Sequence, residues 1–133
     1  MVLVDSSLWI AEFRARGTLA SVAEEDELAT CPIIIQEVLQ GMRSEALYRV
    51  TREVLLSLAI LESPTALSVF DEAARIYRTG RALGVSIRSS IDCLIAACAI
   101  RNGVRVLHSD RDFSAIARFT SLRETFVPQP PPS

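Results

Sequence analysis

The strongest constraint on the fold comes from residues 88–108, RSSIDCLIAACAIRNGVRVLH, where an apolar helical segment runs into a short apolar strand. Ser89 is suited to cap the helix, and Gly103 is suited to end it. VRVLH has the β-branched, apolar character of a buried strand. A helix that leads directly into a buried strand is typical of α/β proteins, in which helices connect parallel strands.

The same alternation extends over the rest of the chain. MVLVD and LATC read as short strands, and LRETF as an edge strand. Helical patterns occupy residues 6–16, 18–28, 32–41, 44–58, 63–84 and 113–119. We therefore predict one α/β domain over residues 1–127, with a mainly parallel sheet, helices on both faces and a proline-rich flexible tail at 128–133.

The composition excludes several kinds of chemistry. All fourteen basic residues are arginine, so no lysine is available for a phosphate site or a Schiff base. His108 is the only histidine, which excludes a metal site made of several imidazoles, and we interpret it as a packed structural residue. Cys31, Cys93 and Cys98 have no C-x-x-C spacing and read as reduced, buried thiols. The apolar runs are too short for a membrane helix, so we expect a cytoplasmic protein without a membrane partner.

Acidic residues follow two of the predicted strands. Asp5 comes directly after MVLV, and Asp110 follows VRVLH with one residue between. Ligands of open α/β sheets bind beyond the carboxyl ends of the strands, although an aspartate there is also a common turn former or helix cap.

Two further acids lie in apolar helices. Glu37 lies in PIIIQEVLQG, which is apolar around most of its circumference and therefore predicts a largely buried helix, with an exposed rim as the alternative. Asp92 fits a capping box with Ser89, a role that is compatible with binding a metal. Carboxylates brought together repel one another unless a cation or a proton neutralises them. Oxygen ligands favour Mg²⁺ or Mn²⁺, and such a site suits hydrolysis of phosphodiester bonds.

Four segments in order, LVDSS, IIIQEVLQG, RSSIDCLIAA and VLHSDRDF, resemble the PIN-domain family and, within it, the VapC-type toxins of bacterial toxin–antitoxin pairs. The resemblance implies a three-layer α/β/α fold and a Mg²⁺- or Mn²⁺-dependent endoribonuclease. It also implies a homodimer, a cognate antitoxin that packs over the cleft, and an RNA substrate, with tRNA among the candidates.

The resemblance also assigns roles to particular residues. The four acids that match the catalytic positions of the family are Asp5, Glu37, Asp92 and Asp110. Three of them, Asp5, Asp92 and Asp110, are expected to bind the metal, with Asp112 in support, while Glu37 is expected to orient or deprotonate the attacking water. The predicted supporting residues are Ser6, Arg88 and Ser109. Arg88 could pair with a carboxylate or with a substrate phosphate, and a plain surface arginine is the alternative.

Two other functions fit an acidic cluster less well. Phosphoacceptor and phosphatase domains with acids at strand ends depend on a lysine that this chain lacks. A catalytically inactive PIN-like module that binds an antitoxin or RNA is the remaining alternative. Such a binder gains nothing from an unneutralised cluster of acids.

Overall fold

The computed structural model describes residues 1–13 and 26–128. Most of the helix predicted at 18–28, and residues 129–133 of the predicted tail, lie outside these residues. Among the described residues, no helix is long and apolar enough to cross a bilayer.

The described strands form one parallel sheet of five strands. They are β1 (Val2–Val4), β2 (Leu28–Thr30), β3 (Ala59–Ile60), β4 (Arg105–His108) and β5 (Glu124–Phe126). Their order across the sheet is β3-β2-β1-β4-β5. The predicted mainly parallel sheet is confirmed, and so is the edge position of the last strand.

Helices connect these strands and pack in two groups. They are α1 (Ser6–Phe13), α2 (Pro32–Gln40), α3 (Glu45–Leu56), α4 (Leu67–Ala82), α5 (Ser90–Asn102) and α6 (Arg111–Ala117). α2 packs against both α1 and α3, whereas α5 packs against both α4 and α6. Because crossovers between parallel strands are right-handed, helices that connect strands in opposite directions along the sheet lie on opposite faces. The result is the three-layer α/β/α fold that the resemblance implies.

The direction in which the chain adds strands to the sheet reverses between β1 and β4. From β1 the chain moves outward to β2 and β3, and then returns past β1 to form β4 and β5. Val4 lies opposite Leu107, so the residues that follow β1 and β4 emerge side by side. This reversal point is where open α/β sheets form their ligand crevice, because the loops on either side diverge to opposite faces.

Several local signals act as the sequence predicts. Pro32 lies in the first turn of α2, where its missing N–H costs no helical hydrogen bond. Gly103 ends α5 with a φ of +63°, a left-handed conformation that favours glycine. The apolar residues of β1, β4 and α5 form the centre of the core, which includes Leu3, Val4, Ile95, Ala96, Cys98 and Val106.

Two local predictions are wrong in detail. α4 begins at Leu67 rather than near Pro64, because residues 62–65 form a turn in which the Thr65 hydroxyl donates to the Glu62 carbonyl. α6 begins at Arg111 rather than at the predicted residue 113, because the Asp110 side chain caps it. The helix predicted at 44–58 is confirmed as α3, in which Thr51 and Leu55 are buried and Leu47, Val50 and Val54 are exposed.

Candidate metal centre

Three aspartates lie close together at the carboxyl edge of the sheet. Asp92, Asp110 and Asp112 each offer a carboxylate oxygen, and these oxygens lie within 4.8 Å of one another. Asp92 lies in the first turn of α5, and Asp110 is the N-cap residue of α6. Asp92 is 6% exposed and Asp112 only 3%, so water screens them little. The fold therefore concentrates negative charge in a poorly solvated place.

Asp5, which follows β1, lies near this cluster but outside the group of three whose oxygens lie within 4.8 Å of one another. Its backbone N–H donates to the Leu107 carbonyl at 2.9 Å, which ties it to the end of β4. Its Oδ2 accepts hydrogen bonds from the Ser7 hydroxyl at 2.7 Å and from the Ser7 N–H at 3.3 Å. Burial raises the pKa of Asp5, and the charge of Asp110 raises it further. The two acids that follow β1 and β4 thus interact electrostatically, as their sequence positions predict.

Glu37 stands at the rim of the cluster. Its Oε1 accepts a hydrogen bond from the Ser6 hydroxyl at 3.1 Å. Desolvation raises the pKa of Glu37, and the charges of Asp5 and Asp110 add to the increase. The prediction of a largely buried α2 is wrong, because only Ile34 and Val38 are buried in it. The alternative of a partly buried helix with Glu37 on its rim is confirmed.

Asp92 is the acid in the least favourable surroundings. Its Oδ2 is buried and has no hydrogen-bond partner among the described residues. Burial and a hydrogen bond with Asp110, with a contribution from neighbouring charges, raise the pKa of Asp92 to about 9. At neutral pH the Asp92 carboxyl therefore retains a proton unless another positive charge replaces it. A bound cation would supply that charge and a partner for the unpaired oxygen.

Asp112 organises the turn that precedes α5. Its Oδ2 accepts the backbone N–H groups of Arg88 and Ser89, each at 2.9 Å. Ser89 is the N-cap residue of α5, as predicted, but its side chain makes no capping hydrogen bond, so the predicted capping box with Asp92 is wrong. Asp112 satisfies the N–H of Ser89 from a distant part of the chain instead.

Arg88 provides a positive charge beside the cluster. Its guanidinium lies 3.7 Å from Asp110 Oδ1 and 3.6 Å from Asp112 Oδ1. The side chain is 60% exposed, so it covers the rim and does not enter the cluster. Of the interpretations open for Arg88, pairing with carboxylates describes the structure.

The hydroxyl residues connect the elements around the acids. Ser7, which the sequence analysis did not include in the site, donates to Asp5 and accepts the Ser109 N–H at 3.4 Å. Its position two residues after Asp5, where an aspartate side chain commonly accepts hydrogen bonds, is the signal that could have revealed it. Ser6 contacts Glu37, as described above, and Ser109 is half-buried beside the cluster.

Other sequence expectations concern the core. Cys31, Cys93 and Cys98 are free and buried, as predicted. Leu8, Trp9 and Phe13 of the first predicted helix could form a partner groove or pack in the core, and the burial of Leu8 and Trp9 confirms core packing for those two residues. The side chain of Phe13 lies outside the described part of the chain.

The PIN-domain model matches residues 2–119. The chain is 39% identical over 130 residues to VapC ribonuclease Mb1587 of Mycobacterium bovis, covering 92% of this chain and 96% of that one. The chain therefore belongs to the PIN-domain family, and its relatives include VapC-type members.

Solved structures have the same fold. VapBC-1 from nontypeable Haemophilus influenzae aligns with a TM-score of 0.74 at 17% identity, covering 95% of this chain and 98% of that one. VapBC-5 from Mycobacterium tuberculosis, a member of the VapBC family of toxin–antitoxin systems, aligns with a TM-score of 0.72 at 22% identity and the same coverage of both chains.

Proposed function

We propose that this chain is a divalent-metal-dependent endoribonuclease that hydrolyses RNA phosphodiester bonds and serves as the toxin of a toxin–antitoxin pair. The observation that carries the proposal is the buried cluster of Asp92, Asp110 and Asp112, in which Asp92 Oδ2 has no hydrogen-bond partner among the described residues. A buried carboxylate oxygen without a hydrogen-bond partner lowers the stability of the folded chain. A cation bound at this oxygen would supply the missing partner.

The donor set fits Mg²⁺ or Mn²⁺. Asp5, Asp92 and Asp110 would hold the ion through carboxylate oxygens, with Asp112 Oδ1, which also faces Arg88, in support. Hard divalent cations prefer such oxygen ligands, and the described residues place no thiolate or imidazole in the group of close donors that would favour a softer metal. When bound, the ion would lower the pKa of a water molecule and neutralise charge on the scissile phosphate.

The side chains at the rim would handle water and substrate. Glu37 has a raised pKa and is held by Ser6, which suits it to orient or deprotonate the attacking water. Hydrolysis in this arrangement would leave 3′-hydroxyl and 5′-phosphate ends. Arg88 is exposed beside the acids and would contact a substrate phosphate. Structured RNA such as tRNA is the substrate class that we propose, with the cytoplasm as the place of action.

Protein partners are supported by exposed apolar side chains in both helical layers. Leu47, Val50 and Val54 form an exposed stripe on α3. Phe70 and Tyr77 of α4 line an apolar groove with Ile91 and Leu94 of α5. Exposed apolar patches of this kind mark protein interfaces. We propose that a second copy of the chain and an antitoxin cover these two surfaces, in keeping with the VapBC assemblies that share the fold.

RNA cleavage by the purified chain tests the enzymatic part of the proposal. We expect cutting with Mg²⁺ or Mn²⁺, none with EDTA, and none by Asp5→Asn or Asp92→Asn variants. Glu45→Gln, which changes an exposed carboxylate on α3, is the matched control and should cut normally. Metal-dependent cutting by both aspartate variants would contradict the site. A parent that binds RNA or antitoxin but cuts no RNA would favour the inactive binding module.

The toxin role has a separate test in cells. Expression of the parent should arrest growth, and co-expression of the small protein encoded beside it should relieve the arrest. Light scattering on the purified chain, alone and with that protein, measures the dimer and the complex. A strictly monomeric chain would contradict the proposed homodimer.

A further inference from the structure

His108 is a buried residue that contacts both the metal centre and the edge of the sheet. It is the last residue of β4, its side chain is 0% exposed, and it lies two residues before Asp110. Its Nε2 lies 2.6 Å from Glu124 Oε2, at the start of β5. Its Nδ1 accepts the backbone N–H of Asp110 at 3.1 Å. The imidazole thus links an edge-strand carboxylate to an acid of the cluster.

These two contacts determine where the imidazole proton lies. A backbone N–H can only donate, so Nδ1 must present its lone pair to Asp110. The remaining nitrogen, Nε2, therefore carries the proton and donates a hydrogen bond to the Glu124 carboxylate. The Phe113 ring, with its centre 5.0 Å away, and the Phe126 ring, 5.7 Å away, restrict the orientation of the imidazole.

The hydrogen bond to Nδ1 completes the restraint on Asp110. The Asp110 side chain already accepts the Asp112 N–H at 2.9 Å, which fixes the carboxylate relative to α6. The bond from its own N–H to His108 fixes its backbone relative to β4. With both ends held, the Asp110 carboxylate stays directed towards Asp92, where the two can share a ligand.

We propose that His108, oriented by Glu124, is a positioning residue that holds Asp110 in the geometry needed for cation binding. The inference deepens the proposed function, on which it rests, by making the edge strand β5 part of the support of the metal centre. Loss of a group that orients a metal ligand typically weakens metal affinity or activity by about 10–100-fold.

Three variants separate this role from simple core packing. His108→Asn retains an acceptor close to the position of Nδ1, whereas His108→Leu has an apolar side chain and no acceptor. Phe126→Leu is the matched control, since it removes a ring that packs on His108 and keeps both hydrogen bonds. Mn²⁺ affinity by calorimetry, melting temperature and RNA cleavage are measured for each variant and the parent.

We expect His108→Leu to bind Mn²⁺ about 10–100-fold more weakly than the parent. His108→Asn should recover most of this loss, although it also lacks the ring, and Phe126→Leu should bind normally. Because the chain has a single histidine, nitrogen NMR of isotope-labelled, tag-free protein reports one imidazole, which should be protonated at Nε2.

The possible results are distinct. Equal Mn²⁺ affinity in His108→Leu and the parent, or a proton on Nδ1, would overturn the positioning role and leave the proposed function standing. Equal weakening in His108→Leu, His108→Asn and Phe126→Leu would assign the effect to packing and also overturn it. If the Mn²⁺ affinities of the parent and the variants follow the expected pattern but the parent cuts no RNA, the positioning role is supported and the nuclease is refuted. A parent that binds no Mn²⁺ refutes both.

Discussion

The two edges of the central sheet carry charged side chains in contrasting surroundings. At the carboxyl edge, Asp5, Asp92 and Asp112 are at most 6% exposed, and helices α1, α5 and α6 begin around them. At the amino edge, Arg105 and Arg123 are exposed and donate to Thr125 and to the Gly103 carbonyl. Burial therefore makes the charges of one edge costly, and water makes those of the other edge inexpensive. The fold retains the energetic cost of buried charges at the carboxyl edge and not at the amino edge. We infer from this difference that the function lies at the carboxyl edge.

Among substitutions at the two edges, Asp92→Asn should cause the largest loss of RNA cleavage. The substitution removes a proposed metal ligand and the charge that it contributes, so we expect RNA cleavage to fall by roughly 10³-fold or more. Initial rates at saturating Mg²⁺ measure the effect, with circular dichroism to verify folding. Cleavage within tenfold of the parent would show that the buried edge is not the active site.

Glu37→Gln should have the next largest effect. Glu37 is half-buried and outside the group of three close aspartates, so the ion should still bind while proton transfer is lost. We expect a fall in kcat of about 10²-fold with nearly unchanged Mn²⁺ affinity. Single-turnover cleavage together with calorimetry distinguishes the two quantities. Loss of Mn²⁺ affinity with unchanged kcat at saturating metal would make Glu37 a ligand instead.

The metal-free protein should become less stable as the pH rises. The pKa of Asp92 is about 9 in the folded chain, against an ordinary value of 3.8. The stability that this raised pKa contributes is therefore fully present below about pH 3.8 and is lost as the pH approaches 9. We expect the melting temperature with EDTA to fall over this range, and to fall less for Asp92→Asn. Added Mg²⁺ should stabilise the parent most at high pH. A melting temperature that Asp92→Asn leaves equally pH-dependent would contradict the assignment.

Arg88→Gln should have a modest effect, because its ion pairs are largely exposed. The expected loss of stability is about 0.2–1 kcal/mol, measured by urea unfolding. Cleavage should change mainly through a higher KM for RNA, which high salt should mimic. A large fall in kcat with unchanged KM would mean that Arg88 acts on the reacting groups.

Arg105→Gln, at the amino edge, should have the smallest effect. Its hydrogen bond to Thr125 is exposed, so we expect stability to change by no more than about 0.5 kcal/mol and cleavage to remain as in the parent. Urea unfolding and the same cleavage assay provide the check. A strong effect on cleavage would show that function is not confined to the buried edge.

Much of the fold could be predicted from local patterns. Strands such as Val2–Val4 and Arg105–His108 follow from apolar β-branched runs, and the end of α5 follows from Gly103. The start of α4 and the exposure of Leu47, Val50 and Val54 could not be predicted in this way. Helical spacing indicates that these residues share a face, but whether that face meets the core depends on which elements fold against it.

The candidate site divides along the same line. The sequence by itself determined which acids follow the strands and begin the helices, because strand ends and caps are local features. Only the tertiary structure decided that Asp92 Oδ2 has no hydrogen-bond partner among the described residues, that Asp112 holds the turn at Arg88 and Ser89, and that His108 joins Glu124 to Asp110. The burial of Asp92, the contacts of Asp112 with Arg88 and Ser89, and the contact of His108 with Glu124 depend on residues distant in the chain, so no local pattern encodes them.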